Sequence, residues 1–403
     1  MTAQTRRSTD ALGPALYILL MCFSFFSDAE YLPAAVKYAV NLAVLAWASL
    51  AFLAKPQLAR ARLCAQLLAL FFLPYLVFWL WSAGLWFVRF QPVAYIVRGT
   101  KSTVYMLTDL LLVCAAVYLF GRRAMAYTLA AMTAANACIL FKTAVHSGLV
   151  PLLREFWQLL ASFATQTGPI MSQLELHGLA FGWGAFLVWL LTQRRPRIGV
   201  VAVCTLFFAL TLKRIAVLGV ACAGLLWLAV RRRPAALRWM PWAMAASVGL
   251  AAFGFLAAVK SGLFYPVAER LGLNLMYRDV LYRYYSAFFT LSPAYVGQGI
   301  RFIYTFGTTE PSAYEAVHSV YLELYLEVGF WCWWLWLIYE LGFRVRWVAA
   351  RFGFAPAALL MVMNAYVFCT YLTDNTSFYY CINVIYRLAV VCACCTEEGG
   401  PAP

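Results

Sequence analysis

Charge is scarce in this chain. Only 12% of its 403 residues are Asp, Glu, Lys or Arg, about half the share of an ordinary soluble chain. That excludes a soluble globular domain of the usual kind. Acid is scarcer than base, 16 residues against 31, which leaves a net charge of +15. Histidine is scarcest, with three residues. There is no H-E-x-x-H, D-x-D, P-loop or Cys/His ligand pattern, so metal catalysis is not indicated and no cofactor is called for. Alternating β-barrel patterning is absent, as are internal repeats, low-complexity stretches and any soluble domain. No A-x-A-like site follows the apolar run 13–26, so no cleaved leader is expected. The twelve cysteines avoid the long polar segment 261–317, so disulfides are not implied there. The cluster Cys392-Ala-Cys394-Cys395 has no His or further Cys pair at zinc spacing, and reads as small apolar packing.

What is present is hydrophobic. The chain is 65% apolar with a mean hydropathy of +0.77, arranged in repeated runs of about 17–25 residues, long enough to span as helices. The excess positive charge is not spread as a nucleic-acid footprint. More than half of the 31 Lys and Arg fall in short tracts between apolar runs: Arg6/Arg7, Lys55/Arg60/Arg62, Arg122/Arg123, Arg194/Arg195/Arg197, Arg231–Arg233 with Arg238, and Arg344/Arg346/Arg351. Such tracts mark cytoplasmic loops, and nucleic acid is not an expected partner.

Hydropathy and charge together predict an all-α polytopic membrane protein of about twelve spans. Their cores are 14–27, 34–54, 63–82, 102–120, 124–145, 176–193, 198–212, 215–230, 239–260, 319–342, 355–373 and 378–396. Both termini then face the cytoplasm. Two outer segments are long, 146–175 and 260–318, and the tail 397–403 is expected to be disordered. The whole chain, 1–403, reads as a single transmembrane domain.

Lys213-Arg214 interrupts the apolar stretch 198–230. One helix across it would put the flanking basic tracts on opposite sides, whereas two short helices keep both inside. Each arm of about 15 residues reaches roughly 23 Å, short of the ~30 Å hydrocarbon core. The apex is therefore recessed, with no carboxylate in the local sequence. Two readings stand: snorkelling to the outer headgroups, or an anion site. The cost of sunken cations favours the second.

In the segment 260–318, residues 277–289 have helical spacing. Arg278, Leu281, Tyr282, Tyr285 and Phe289 share a face, while Asp279 and Arg283 form an i,i+4 pair on another. An arginine on an aromatic stripe points to an anion or to an acid from elsewhere. Arg283 and Arg270 are weaker anion candidates. Ser292-Pro293, Gly297 and Gly299 mark a turn, and 302–316 reads as a flexible loop able to close over a substrate. His318 then opens an apolar helix. It can serve as a plain interfacial hydrogen-bonding residue, or as a base that needs no large pKa shift. The second is preferred, because no other His lies on this loop. Glu323 and Glu327 are rotated about 140° and 180° from it, so they are expected to pair with basic groups in the bundle. His177 opens another span at the outer surface and could line the same cavity. Lys37, Asp109, Lys142 and Arg387 are intramembrane charges whose partners the sequence does not give.

These positions together resemble the bacterial O-antigen ligase and polymerase superfamily. The similarity rests on the short hairpin with a basic apex (Thr211-Leu-Lys-Arg214, with Lys213 where the family usually has Ser), Arg278 leading an aromatic helix, the Pro293…Gly297-x-Gly299 turn, and His318-Ser-x-Tyr-Leu…Glu327-x-Gly329. It covers about residues 175–342. The resemblance implies metal-independent glycosyl transfer on the periplasmic face of the bacterial inner membrane. The donor would be a glycan on undecaprenyl diphosphate. It implies that Arg214, Arg278, Lys213 and Arg283 hold the diphosphate, that His318 is the catalytic base, and that Tyr282, Tyr285 and His177 contact sugar or line the cavity. The acceptor would be lipid A–core for a ligase, or another lipid-linked glycan for a polymerase. An arginine-x10-glycine signature of some polymerases is missing at Arg154, Arg278, Arg283 and Arg301, which tilts the reading to ligase. A non-enzymatic lipid-linked-glycan transporter is the reading of another class. It predicts mid-bilayer paired charges and inverted repeats.

Overall fold

The computed structural model describes residues 3–162, 178–211, 213–270, 275, 277–310, 314 and 316–395. Among them every regular element is a helix. In chain order these are α1 (Ala3–Asp28), α2 (Ala35–Ala54), α3 (Leu58–Val88), α4 (Val93–Phe120), α5 (Ala124–Ser147) and α6 (Leu149–Ser162). Then come α7 (Gly178–Thr192), α8 (Ile198–Thr211), α9 (Arg214–Arg232), α10 (Met240–Ser261), α11 (Phe264–Arg270) and α12 (Arg278–Ser286). The last are α13 (Phe302–Thr309), α14 (Val320–Leu337), α15 (Arg344–Phe352), α16 (Phe354–Thr370) and α17 (Tyr380–Cys394). Six helical stretches are long and apolar enough to cross a membrane, and four further apolar helices are shorter. The chain is thus all-α and built for a membrane. The apolar runs predicted from sequence each coincide with a helix, because a run without interrupting charge is the same signal in both.

Two expectations change. The outer segment 146–175 contains α6, and the segment read as a flexible loop from 302 contains α13. Thr, Tyr and Phe are mediocre helix formers. Two kinds of ring contact hold α13: Phe302 stacks on Phe306 one turn along the helix, and both meet Phe288 from outside it. The tail 397–403 lies outside the described residues.

The chain divides into two compact units rather than one. The first is 1–69, 108–227 and 378–403; the second is 70–107 and 228–377. The boundaries fall inside helices, so no linker or composition shift marks them in the sequence.

In the first unit α1 packs on α2 and α5, and α17 packs on α7 and α5. A buried polar spine crosses these helices. Lys37 Nζ lies 3.3 Å from Asp28 Oδ1, and the other Asp28 oxygen accepts the Cys381 N–H. Ser24 donates to the Tyr380 hydroxyl, which donates to Asn41 Oδ1. Asn41 Nδ2 in turn donates to Asp109 at 3.1 Å, and Arg387 sets its charge on the same carboxyl. Lys142 lies 4.4 Å over the ring of Tyr31. These are the intramembrane charges left without partners by the sequence.

In the second unit α10 packs against α14 and against the π-helical turn Ile338–Phe343 that continues it. α14 is not continuous. Gly329 adopts φ 77°, ψ −178° in its middle, a conformation that L side chains avoid. The break frees carbonyls that a helix would otherwise use. The turn after Pro293 takes them: Gln298 N–H donates to Leu326 O at 3.0 Å and Gly299 N–H to Glu327 O at 2.7 Å. Phe330 N–H returns a bond to Tyr295 O at 2.8 Å. The backbones approach so closely that a Cβ on Gly297 would strike residues 327–329, and one on Gly329 would strike residues 295–297. The two glycine motifs of the sequence are therefore halves of one joint.

Candidate active site at the start of helix α14

Among the described residues of the loop 262–319, three non-glycine residues have left-handed backbone: Tyr277 (φ 69°), Arg301 (φ 62°) and His318 (φ 50°). Each stands just before a helix. Such residues are uncommon and cluster at functional sites. At His318 the conformation turns the chain sharply into α14. Ser319, extended at φ −155°, follows it. Val320 N–H then donates to Tyr371 O at 3.0 Å, so the helix start is tied to the α16–α17 connection. His318 itself is half-buried.

α12 runs from Arg278 to Ser286, shorter than the 277–289 expected, and buries Leu281, Tyr282 and Tyr285. Phe289 is buried too, so the aromatic face is the inner one. Tyr282 meets Phe255 and Phe264 edge-on. Its hydroxyl points at the His318 carbonyl, 3.4 Å away. Burial pushes this phenol up from its ordinary value; Arg278 opposes the shift and Asp374 adds to it. The phenol therefore stays a donor. Tyr282 thus links the His318 backbone to the charges of Arg278 and Asp374. The Arg278 Nε is buried and has no hydrogen-bond partner among the described residues. A desolvated guanidinium N–H without an acceptor is costly, and a phosphate oxygen would satisfy it.

Asp374 was not singled out in the sequence. It is buried in the short turn between α16 and α17, with Asn375 N–H donating to its Oδ1. Its signal was modest: it is the single acid between α16 and α17.

Tyr285 is fully buried and donates to the Tyr314 carbonyl. With only 2% and 0% of their surface exposed, Tyr282 and Tyr285 are posts that hold the loop, not open platforms for sugar. Arg283 is exposed. Its guanidinium lies 3.8 Å over the Tyr265 ring, in place of the expected i,i+4 ion pair with Asp279. Glu323 and Glu327 are buried, and the charge of Arg301 in the loop acts on both. Glu327 also meets the backbone N–H groups of Arg301 and Ile303. There it satisfies the open donors at the α13 N-terminus.

Lys213 and Arg214 belong to the first unit. α8 ends at Thr211 and α9 begins at Arg214, so the apolar stretch 198–230 is two helices. Lys213 is half-buried and Arg214 exposed. The first turn of α9 adds backbone N–H donors to these two cations, an arrangement that favours an anion. His177 lies outside the described residues. Among the described residues no three His, Cys, Asp or Glu side chains gather closely enough to hold a metal ion.

No protein-family model matches this chain, and no curated protein or solved structure matches it.

Proposed function

We propose that the chain is a membrane glycosyltransferase of the O-antigen ligase type. It moves a glycan from undecaprenyl diphosphate to a hydroxyl of lipid A–core. The observation that carries this reading is the buried Arg278 Nε, which has no hydrogen-bond partner among the described residues and whose charge acts on the Tyr282 phenol that reaches the His318 carbonyl. In this reading the twelve apolar segments all span the bacterial inner membrane, both termini are cytoplasmic, and the loop 260–318 lies in the periplasm.

The reaction needs a base for the acceptor and charge for the leaving group. His318 takes the proton of the acceptor hydroxyl as its oxygen attacks the anomeric carbon. The bond from that carbon to the diphosphate oxygen breaks, with inversion, and undecaprenyl diphosphate leaves with the electron pair. Arg278 stabilises the charge that develops on it, which is the main electrostatic term in such transfers. The roles of Lys213 and Arg214 on the same diphosphate rest on the resemblance of the 211–214 segment. Asp374 holds the Arg278–Tyr282 corner in place. Because Tyr282 and Tyr285 are enclosed, sugar contacts fall to more exposed rings such as Tyr277 and Tyr304.

The test is incubation of the purified chain with a lipid-linked glycan donor, with and without lipid A–core. Product formed only with the core supports a ligase. Lengthening of the lipid-linked glycan without the core makes it a polymerase, with the same donor chemistry. No transfer under either condition removes the reading.

A further inference from the structure

The link between α3 and α4 breaks the charge pattern of the rest of the chain. Between Ala83 and Lys101 it carries Arg89, Arg98 and Lys101 and no acid. It lies at the His318 end of the second unit, away from the end that holds Arg344, Arg346 and Arg351. Trp81 Nε1 donates to Val296 O at 2.9 Å, and Ile300 N–H donates to Ser82 Oγ at 2.9 Å. Basic residues are normally few at the end opposite the cytoplasmic tracts, so these three need an explanation.

Their protein partners do not supply one. Arg89 donates to the neutral amide oxygen of Gln298 at 2.8 Å. Arg98 donates to the Thr305 carbonyl and the Thr308 hydroxyl. Lys101 lies 5.4 Å from the Tyr105 ring. Among the described residues, no carboxylate pairs with any of the three. Arg89 and Lys101 are exposed. Around them stands an apolar tip, with Phe87 81%, Phe90 91% and Val93 70% exposed.

Helix length sets the depth of this tip. The 31 residues of α3 extend about 46 Å at 1.5 Å each, against a hydrocarbon core of ~30 Å. Its last turn and Arg89 therefore stand at the level of lipid headgroups. Lys101 starts eight residues into α4, deeper, where a lysine reaches upward along its apolar stem. Large apolar side chains beside unpaired cations at headgroup depth match an anionic lipid, which offers chains to the first and phosphate to the second.

We propose that the α3–α4 tip binds an anionic glycerophospholipid of the adjoining leaflet. Arg89 and Lys101 take its phosphate, and Phe87, Phe90 and Val93 lie against the upper acyl chains. Arg89 and Arg98 also grip the loop at Gln298 and Thr308, so the bound lipid braces the segment that leads to His318. The proposal rests on this tip alone and stands whether or not the chain transfers a glycan.

The test is native mass spectrometry of the purified full chain mixed with equal amounts of phosphatidylglycerol and phosphatidylcholine. The wild type should retain phosphatidylglycerol preferentially. Arg89→Gln/Lys101→Gln should cut that preference about tenfold or more, from roughly 1 kcal/mol per basic residue near an anionic surface. The charge-keeping Arg89→Lys/Lys101→Arg should preserve it. On the wild type, raising salt from about 50 to about 500 mM should weaken it through screening, a readout that needs no variant to fold. A wild type with no preference, a double variant that keeps it, or insensitivity to salt overturns the proposal. So does retention confined to a phosphorylated glycolipid.

Discussion

The first unit and the loop of the second both bury charge, and they treat it differently. In the first unit Lys37 and Asp109 have their complements built in. Lys37 has Asp28, and Asp109 has Asn41 with the charges of Arg387 and Lys37 nearby. In the loop, Arg278 sits half-buried with its Nε unmet. A paired intramembrane charge is most simply a lock between helices. An unmet one offers a donor to a ligand. The mere presence of an intramembrane charge does not separate these cases; its hydrogen-bond partners do.

The comparison breaks first at His318 and Arg278. His318→Ala should lower transfer about 10²–10⁴-fold, the usual worth of a general base, with insertion and thermal unfolding unchanged. Near-normal transfer would remove the base role. Arg278→Ala should cost about 10²–10³-fold and weaken donor binding. Arg278→Lys should not restore it, because a lysine lacks the planar fork. Unchanged donor affinity in Arg278→Ala takes it out of the phosphate site.

Asp109→Ala should show the opposite pattern. It leaves Arg387 and Asn41 facing a gap, at a cost of about 3–5 kcal/mol, read as a lower unfolding temperature in detergent. Transfer measured below that temperature should persist. If Asp109→Ala abolishes transfer at full stability, the spine is not merely a lock. Gly329→Ala tests the joint between α14 and the Pro293 turn. It forces a Cβ into the 295–297 backbone and strains a backbone that only glycine adopts easily, so a loss of about 2–4 kcal/mol is expected. Limited proteolysis should show faster cleavage within 262–319.

The smallest effect belongs to Tyr282. Tyr282→Phe removes one long hydrogen bond to the His318 carbonyl, worth about 1 kcal/mol or less. Its phenol is pushed up by burial, so the folded state holds that proton more tightly than the unfolded one. The stability this contributes is complete below the unfolded value near 10 and is lost as pH rises above it. The unfolding temperature of the wild type should be level from about pH 6 to 9 and fall beyond about 10, and Tyr282→Phe should fall less steeply.

Much of this was legible in the residues. The apolar runs mark the helices, Lys213-Arg214 marks the break between α8 and α9, and the 3.6-residue spacing of Leu281, Tyr282, Tyr285 and Phe289 marks the buried face of α12. Glu323 and Glu327 were expected to pair with basic groups in the bundle; the charge that acts on them is Arg301 of the loop. Asp374 was not foreseen, because an acid in a short turn has no periodicity to set it apart. Nor was α13, whose helicity comes from rings and a carboxyl remote in sequence. The enclosure of Tyr282 and Tyr285 was not legible for a related reason: an aromatic stripe shows which side of a helix is apolar, not whether that side is open.

Sequence by itself determined that this is a helical membrane chain, where its long apolar helices run, and that His318 opens one of them. Hydrophobic runs and charge tracts are local quantities, and transfer to a bilayer depends on little else. Tertiary structure alone decided that Gly297 and Gly329 form one joint, that Asp109 is answered by Asn41, and that Tyr282 links the His318 backbone to the charges of Arg278 and Asp374. Those pairings join residues tens of positions apart, and only packing chooses among the charges and glycines that the sequence offers.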